Sequence, residues 1–127
     1  MLSNILLYVG SIVIILWGIA HIIPTRSVVS SFGSISADNK RIITMEWAAE
    51  GLALCFIGVL VLLVTALGGV QNTASHVVFR TSAAMLIIMA GWTALTGAKT
   101  AIIPIKVCPF VKTAVAILFL AASLWTI

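Results

Sequence analysis

Two acidic side chains four residues apart carry the strongest chemical signal in the sequence. Glu46 and Glu50 stand at the head of a long apolar run, and their spacing places both carboxylates on one face of a helix. Glu50 lies more than two turns beyond the expected helix start, so it falls at membrane depth if that helix crosses a bilayer. Two nearby carboxylates in a low dielectric resist double ionisation, and we expect one of them to hold a proton near neutral pH.

An imidazole and several indole rings fall at matching depths on neighbouring apolar runs. His21 ends the first run, with Trp17 one turn before it on the same face, and its ring can accept or supply a proton. The sequence therefore predicts one polar and aromatic cluster. Its candidate catalytic residues are Glu50, His21 and Glu46, and its candidate substrate-binding residues are Trp17, Trp47, Trp92 and Thr96.

Structural roles compete with these assignments. Glu46 lies nearer the helix start, where it could offset the helix dipole or pair with Lys40 or Arg41. Glu50 could form a structural pair with His21 or with a lysine, and tryptophans commonly gather at membrane interfaces. The lysines that could close the cluster from the membrane surface are Lys99, Lys106 and Lys112.

No metal is assigned from the sequence, and the cofactor is left open. His21, Glu46 and Glu50 include acceptable ligand types for iron, manganese or zinc, but they form no repeated ligand pattern. A haem held by two imidazoles would need His21 and His76 at one depth, whereas their positions in the chain predict opposite leaflets.

The two cysteines and a second polar group are interpreted as structural. Cys55 and Cys108 show no paired spacing and no adjacent histidine, so we expect two small buried hydrophobes. His76 and Arg80, near the other membrane surface, are expected to lie in water or to extend towards it.

The composition identifies the solvent of this chain as lipid. Of the 127 residues, 62% are hydrophobic and 8% are charged, and the mean hydropathy is +1.27. A spanning helix takes about 20 apolar residues, so four spans and short loops use the whole length. The basic residues form no patch with interleaved aromatic rings, which argues against nucleic-acid binding. The expected partners are a lipid bilayer and a hydrophobic small molecule.

Helix-breaking residues divide the chain into four predicted spans of a single all-α domain, residues 1–127. Pro24 ends the first span, Gly68 follows the second, Gly97 closes the third, and Pro109 opens the fourth. The predicted helices cover about residues 5–23, 39–67, 75–96 and 109–127.

The positions of the basic residues predict the orientation. Six basic residues flank the first and third connections, and one, Arg80, follows the second. By the positive-inside rule those two connections are cytoplasmic and both termini face outward. Small residues such as Gly51 and Gly58 offer helix seams, either within the chain or in a homo-oligomer.

Two segments carry a resemblance to a known family. The run Gly18-Ile-Ala-His21-Ile-Ile-Pro24, followed by Glu46-Trp47-Ala-Ala-Glu50-Gly51, resembles small bacterial four-helix membrane proteins of the DoxX-like kind. The resemblance covers the two N-terminal helices and the overall size. It implies a four-helix bundle in a bacterial inner membrane and transfers no active-site residue. The combination of intramembrane Glu, His and Trp also looks like the cavity of sterol-isomerase-type membrane proteins.

Three functions follow as hypotheses. The first is an enzyme that transfers protons on a lipid-dissolved substrate, of isomerase or cyclase type, with Glu50 and His21 as acid and base. The second is a small proton-coupled transporter working as an oligomer, and the third is an accessory subunit of a membrane complex. Because a buried charge is costly, we expect Glu50→Gln to preserve folding.

Overall fold

The computed structural model describes residues 1–97 and 99–125, and their regular structure is helical. Four long helices alternate with short connections, and one short helix follows the first of them. In chain order the helices are α1 (Leu2–Ile22), α2 (Thr25–Ser30), α3 (Ala37–Gly68), α4 (Thr73–Gly97) and α5 (Ile103–Leu124), with a 3-10 turn at Gly69–Gln71.

Helices α1, α3, α4 and α5 are each long and apolar enough to cross a membrane. At about 1.5 Å per residue the 32 residues of α3 extend about 48 Å, well beyond a hydrocarbon core of about 30 Å. The chain is thus an all-α membrane bundle of four spanning helices, as the sequence predicts.

The fourth spanning helix begins earlier than the sequence predicts. Pro104, rather than Pro109, occupies the first turn, where the missing N–H of proline costs no helical hydrogen bond. Pro109 lies inside α5. The earlier start has a chemical consequence, because it places Cys108 on the helix, one turn before Lys112 and on the same face.

Glycines bring α1 and α3 into backbone contact. A Cβ added to Gly18 would lie 2.6 Å from the carbonyl oxygen of Gly51, and one added to Gly51 would lie 2.8 Å from the carbonyl oxygen of Gly18. Further along, a Cβ on Gly58 would lie 2.9 Å from the carbonyl oxygen of Ser11. Only glycine permits this approach, and it sets His21 of α1 against the first half of α3.

The helices pack unevenly around a core of aliphatic and aromatic side chains. Helix α1 contacts α3 and α5 extensively, and α4 packs along α5, whereas α3 and α4 contact each other sparsely. Leu7, Leu54, Phe79, Leu86 and Phe119 lie in the shared core. The sparse packing between α3 and α4 leaves a lateral groove, and Glu46 and Glu50 of α3 lie along it.

Candidate active site

A buried ion pair joins α3 to α5. The Lys112 ammonium donates hydrogen bonds to Oε1 of Glu50 and, over 2.9 Å, to the Thr93 hydroxyl. The Lys112 side chain has no exposed surface, and that of Glu50 is 27% exposed. A charge in this position is costly unless it is paired. The pairing brings together Glu50 of α3, Thr93 of α4 and Lys112 of α5 in one polar contact.

Cys108 lies at the centre of the polar cluster. Its Sγ is 3.6 Å from Nε2 of His21 and 3.7 Å from Oε1 of Glu50. The indole N–H of Trp17 donates to the same sulfur over 3.3 Å. The thiol therefore links an imidazole on α1 to a carboxylate on α3, and it is itself buried.

The orientation of the His21 ring follows from its second nitrogen. Nδ1 lies 3.1 Å from the carbonyl oxygen of Trp17, and because a carbonyl can only accept, Nδ1 carries the proton. In the neutral form of the ring, Nε2 then presents its lone pair to Cys108. The imidazole stacks on the Trp47 ring at 5.1 Å between centroids and meets the Trp17 ring edge-on at 5.6 Å.

Trp47 is positioned by the end of α1. Pro24 stops that helix, and the carbonyl of His21 is left near the terminus, where helical carbonyls need outside partners. The Trp47 indole N–H donates to this carbonyl over 2.6 Å, and the Thr25 hydroxyl donates to it over 3.3 Å. The proline at the end of α1 thus helps to set the aromatic wall of the site.

Two cavities meet at the ion pair. An inner cavity of about 260 Å³ is lined by His21 and Cys108, and the lateral groove between α3 and α4 has about 540 Å³. The side chains that line both are Trp47, Glu50, Trp92 and Thr93. Lys112 also lines the groove. The groove therefore opens towards the carboxylate from the side of the bundle, between two helices.

The two acids of the predicted cluster have different surroundings. Glu46 is exposed and lines only the outer groove, together with Ile42 and Ile43. Glu50 pairs with the ammonium of Lys112, which is the alternative of a pair with a lysine, so the core of the site is an ion pair. That Glu46 and Glu50 share a proton stays a prediction.

The structure brings together most of the predicted cluster. Trp17, His21, Trp47 and Glu50 lie at one end of the bundle around Cys108, which confirms that their depths match. The remaining candidates lie at its rim. Trp92 is 69% exposed, Thr96 is exposed with its hydroxyl bonded to the Trp92 carbonyl, and Glu46 is exposed.

Two residues of the site lie deeper in it than the sequence indicates. Lys112 was one of three lysines that could close the cluster from the membrane surface, and it is fully buried within it. Cys108 is buried, as expected, but it contacts His21 and Glu50 instead of serving as a small hydrophobe. The sequence signal for both residues is a lysine inside an apolar run with a cysteine one turn before it. Because the predicted fourth helix began at Pro109, Cys108 fell outside it, and the two residues were not placed on one helix face.

The donor atoms of the cluster also suit a metal ion. Nε2 of His21, Sγ of Cys108 and a carboxylate oxygen of Glu50 all lie within 4.8 Å of one another. The metal set considered from the sequence contained Glu46, which lies outside this group.

No known protein family matches the chain, and neither a curated protein nor a solved structure matches it. The DoxX-like resemblance accordingly stays a prediction, and the geometry of the site is the basis for a functional proposal.

Proposed function

We propose that this membrane protein is an enzyme that transfers protons on a hydrophobic small molecule within the bilayer, of isomerase or cyclase type. The observation that carries the proposal is the position of Glu50. Its carboxylate lies where the lateral groove meets the inner cavity, beside the buried ammonium of Lys112 and within reach of Cys108 and His21. A buried charge pair beside an open groove lowers the stability of the fold. Stability alone therefore does not explain why this pair is present.

The hydrogen bonds suggest how protons move. The lone pair of His21 Nε2 faces the Cys108 thiol, and the thiol in turn faces Oε1 of Glu50. A proton taken from a substrate at Glu50 can thus be exchanged with the imidazole through the sulfur. Lys112 holds the carboxylate in place, and its buried positive charge is offset by Glu50.

The aromatic walls suit an apolar substrate that acquires positive charge. Trp47 lines both cavities, and Trp92 lies at the mouth of the groove. Indole faces stabilise a nearby cation by about 0.5 to 2 kcal/mol. The substrate class we infer is therefore a lipid-dissolved molecule with one polar, proton-exchanging end.

Two measurements test this function. Mass spectrometry of lipids that co-purify with the protein should identify a bound hydrophobic molecule. Incubating that molecule with the reconstituted protein in deuterated water should then place deuterium on its carbon skeleton.

The variants that decide the outcome differ by one helical turn. Glu50→Gln should abolish deuterium incorporation, while Glu46→Gln should keep it, because Glu46 lies outside the inner cavity. Incorporation that survives Glu50→Gln would disprove the proton-transfer role. Binding without any incorporation in the native protein would favour the transporter hypothesis instead.

A further inference from the structure

Cys108 Sγ lies at the distances of a tetrahedral metal site from His21 Nε2 and from Glu50 Oε1, and all three donor atoms lie within 4.8 Å of one another. With a Zn–S bond of about 2.3 Å and a Zn–N bond of about 2.0 Å, a tetrahedral angle separates sulfur from nitrogen by about 3.5 Å. A Zn–O bond of about 2.1 Å gives about 3.6 Å between sulfur and oxygen. The observed distances from Cys108 Sγ are 3.6 Å to His21 Nε2 and 3.7 Å to Glu50 Oε1.

The hydrogen bonds that His21, Cys108 and Glu50 make to neighbouring groups are of the kinds that metal-binding side chains usually make. A metal-binding histidine usually gives its other N–H to a carbonyl or a carboxylate, and His21 Nδ1 faces the Trp17 carbonyl. The Trp17 indole N–H points at the Cys108 sulfur, where it would stabilise a thiolate. Lys112 holds the Oε1 atom of Glu50 that lies 3.7 Å from the sulfur, and because a carboxylate oxygen has two lone pairs, this atom can bind an ion and keep the lysine.

The three donors leave one side of the site open. His21, Glu50 and Cys108 all line the inner cavity of about 260 Å³, so a fourth ligand can approach from there. Three protein ligands and one open position are the arrangement of catalytic rather than structural zinc sites.

We propose that His21, Glu50 and Cys108 bind one divalent ion of the zinc type, with the fourth position facing the inner cavity. Sulfur and imidazole donors favour zinc over magnesium or calcium, which take oxygen ligands. On binding, the Cys108 thiol releases its proton to solvent and a metal–sulfur bond forms. The thiolate and the carboxylate then offset the two charges of the ion, and the Lys112 ammonium favours an anionic fourth ligand.

The metal site shares His21, Glu50 and Cys108 with the proposed reaction and so deepens that proposal, although a chain could hold the ion without acting on a lipid. If both hold, an ion would occupy the donor atoms through which protons are proposed to move, and a ligand on the open position would exchange protons in their place. Metal content and deuterium incorporation are separate readouts, so failure of one proposal is distinguishable from failure of the other.

The test uses the full-length protein purified in detergent. After treatment with a chelator, the protein is loaded with Zn²⁺ or with Co²⁺ and passed over a desalting column. We expect about one Zn²⁺ per chain by elemental analysis. The Co²⁺ form should show a thiolate-to-cobalt charge-transfer band in the near ultraviolet and visible bands typical of tetrahedral cobalt.

The two cysteines provide a matched pair of variants. Cys108→Ser should remove the charge-transfer band and lower metal retention at least tenfold, whereas Cys55→Ser should keep both, because Cys55 contacts the Ile15 carbonyl instead. Folding of each variant is checked by circular dichroism and by elution as a single peak.

A second pair of variants, at the two histidines, shows whether metal loss in Cys108→Ser comes from the missing ligand or from a folding defect. His21→Gln should lower Zn²⁺ retention at least tenfold, while His76→Gln, at the other end of the bundle, should leave it unchanged. Substoichiometric Zn²⁺ in the native protein would overturn the proposal. A charge-transfer band that survives Cys108→Ser or disappears in Cys55→Ser would overturn it as well.

Discussion

The two ends of the bundle each contain a histidine and a long cation, yet they differ in kind. At one end, His21 and Lys112 are buried beside an acid and a cavity. At the other, His76 donates from Nε2 to the Val70 carbonyl over 2.9 Å, and its Nδ1 lies 3.2 Å from the Ser123 hydroxyl.

Arg80 completes the second group through hydrogen bonds, and within residues 1–97 and 99–125 it forms no ion pair. Its Nε donates to the Ser123 hydroxyl over 2.8 Å, and its guanidinium also reaches the Ser123 carbonyl near the end of α5. Arg80 is exposed, and all three acids of the chain lie in the first half of α3. His76 was expected in water and Arg80 was expected to extend towards it. Arg80 is exposed, but His76 is half-buried and bonded to Val70 and Ser123, so this second group ties α4 to the end of α5.

The comparison shows what separates a site from a structural contact. Both ends hydrogen-bond their histidine and their long cation, but among the described residues the Glu50 end is the one that pairs opposite charges inside the bundle beside open space. A functional interpretation therefore rests on the combination of burial, charge and access, rather than on residue type.

Reporter fusions test which end of the bundle faces the cytoplasm, because each fusion reports either a cytoplasmic or an external location. Because Lys112 is buried, it is not counted among the basic residues at the membrane surfaces. Five basic residues remain near the Glu50 end, and Arg80 lies near the other end. Reporters inserted at Ser34 and at Thr100, both in connections, should behave as cytoplasmic, and one within residues 71–75 as external. Opposite signals would place the Glu50 cluster at the outer surface.

Breaking the ion pair should be the largest stability effect. The buried Lys112 reverses the expectation that Glu50→Gln preserves folding, because the variant leaves an ammonium without its counter-charge. Glu50→Gln and Lys112→Met should each lower the free energy of unfolding by about 3 kcal/mol, measured by denaturant titration in detergent.

A double-mutant cycle and an exposed neighbour serve as controls for that experiment. The double variant Glu50→Gln, Lys112→Met should lose less unfolding free energy than the two single variants lose together. The difference should exceed about 1 kcal/mol. Glu46→Gln should stay within about 0.5 kcal/mol of the native protein. Strict additivity would show that the two groups do not interact in solution.

The close approach of α1 and α3 should be the next largest effect. Gly18→Ala places a Cβ 2.6 Å from the Gly51 carbonyl oxygen, so the helices must separate, at a cost of about 2 kcal/mol in unfolding free energy. Its control is Gly91→Ala, where an added Cβ meets nothing within 4 Å and helix propensity improves. Equal effects of the two substitutions would contradict the backbone contact.

The smallest effect is expected at the opposite end of the bundle. Ser123→Ala removes the hydroxyl shared by His76 and Arg80 and should cost about 1 kcal/mol in unfolding free energy. It should leave lipid binding and metal retention unchanged. Ser34→Ala, in an exposed loop, is the matched control, and a loss of ligand binding in Ser123→Ala would erase the distinction between the two ends.

The sequence by itself determined the solvent, the number of spanning helices and the depth of the polar residues. Apolar run length and breakers such as Pro24 and Gly97 are local features, and a membrane leaves the backbone few alternatives to helices. Helical periodicity also placed Glu50 deeper than Glu46 and His21 at the same end as both.

Only the tertiary structure decided which side chains meet. Glu50 lies 62 residues from Lys112 in the chain, and no periodicity within one helix indicates which face of α5 will oppose α3. That choice depends on the Gly18 and Gly51 contact and on the sparse packing between α3 and α4. Helix crossing thus made Cys108 and Lys112 part of the site, because their partners lie on other helices.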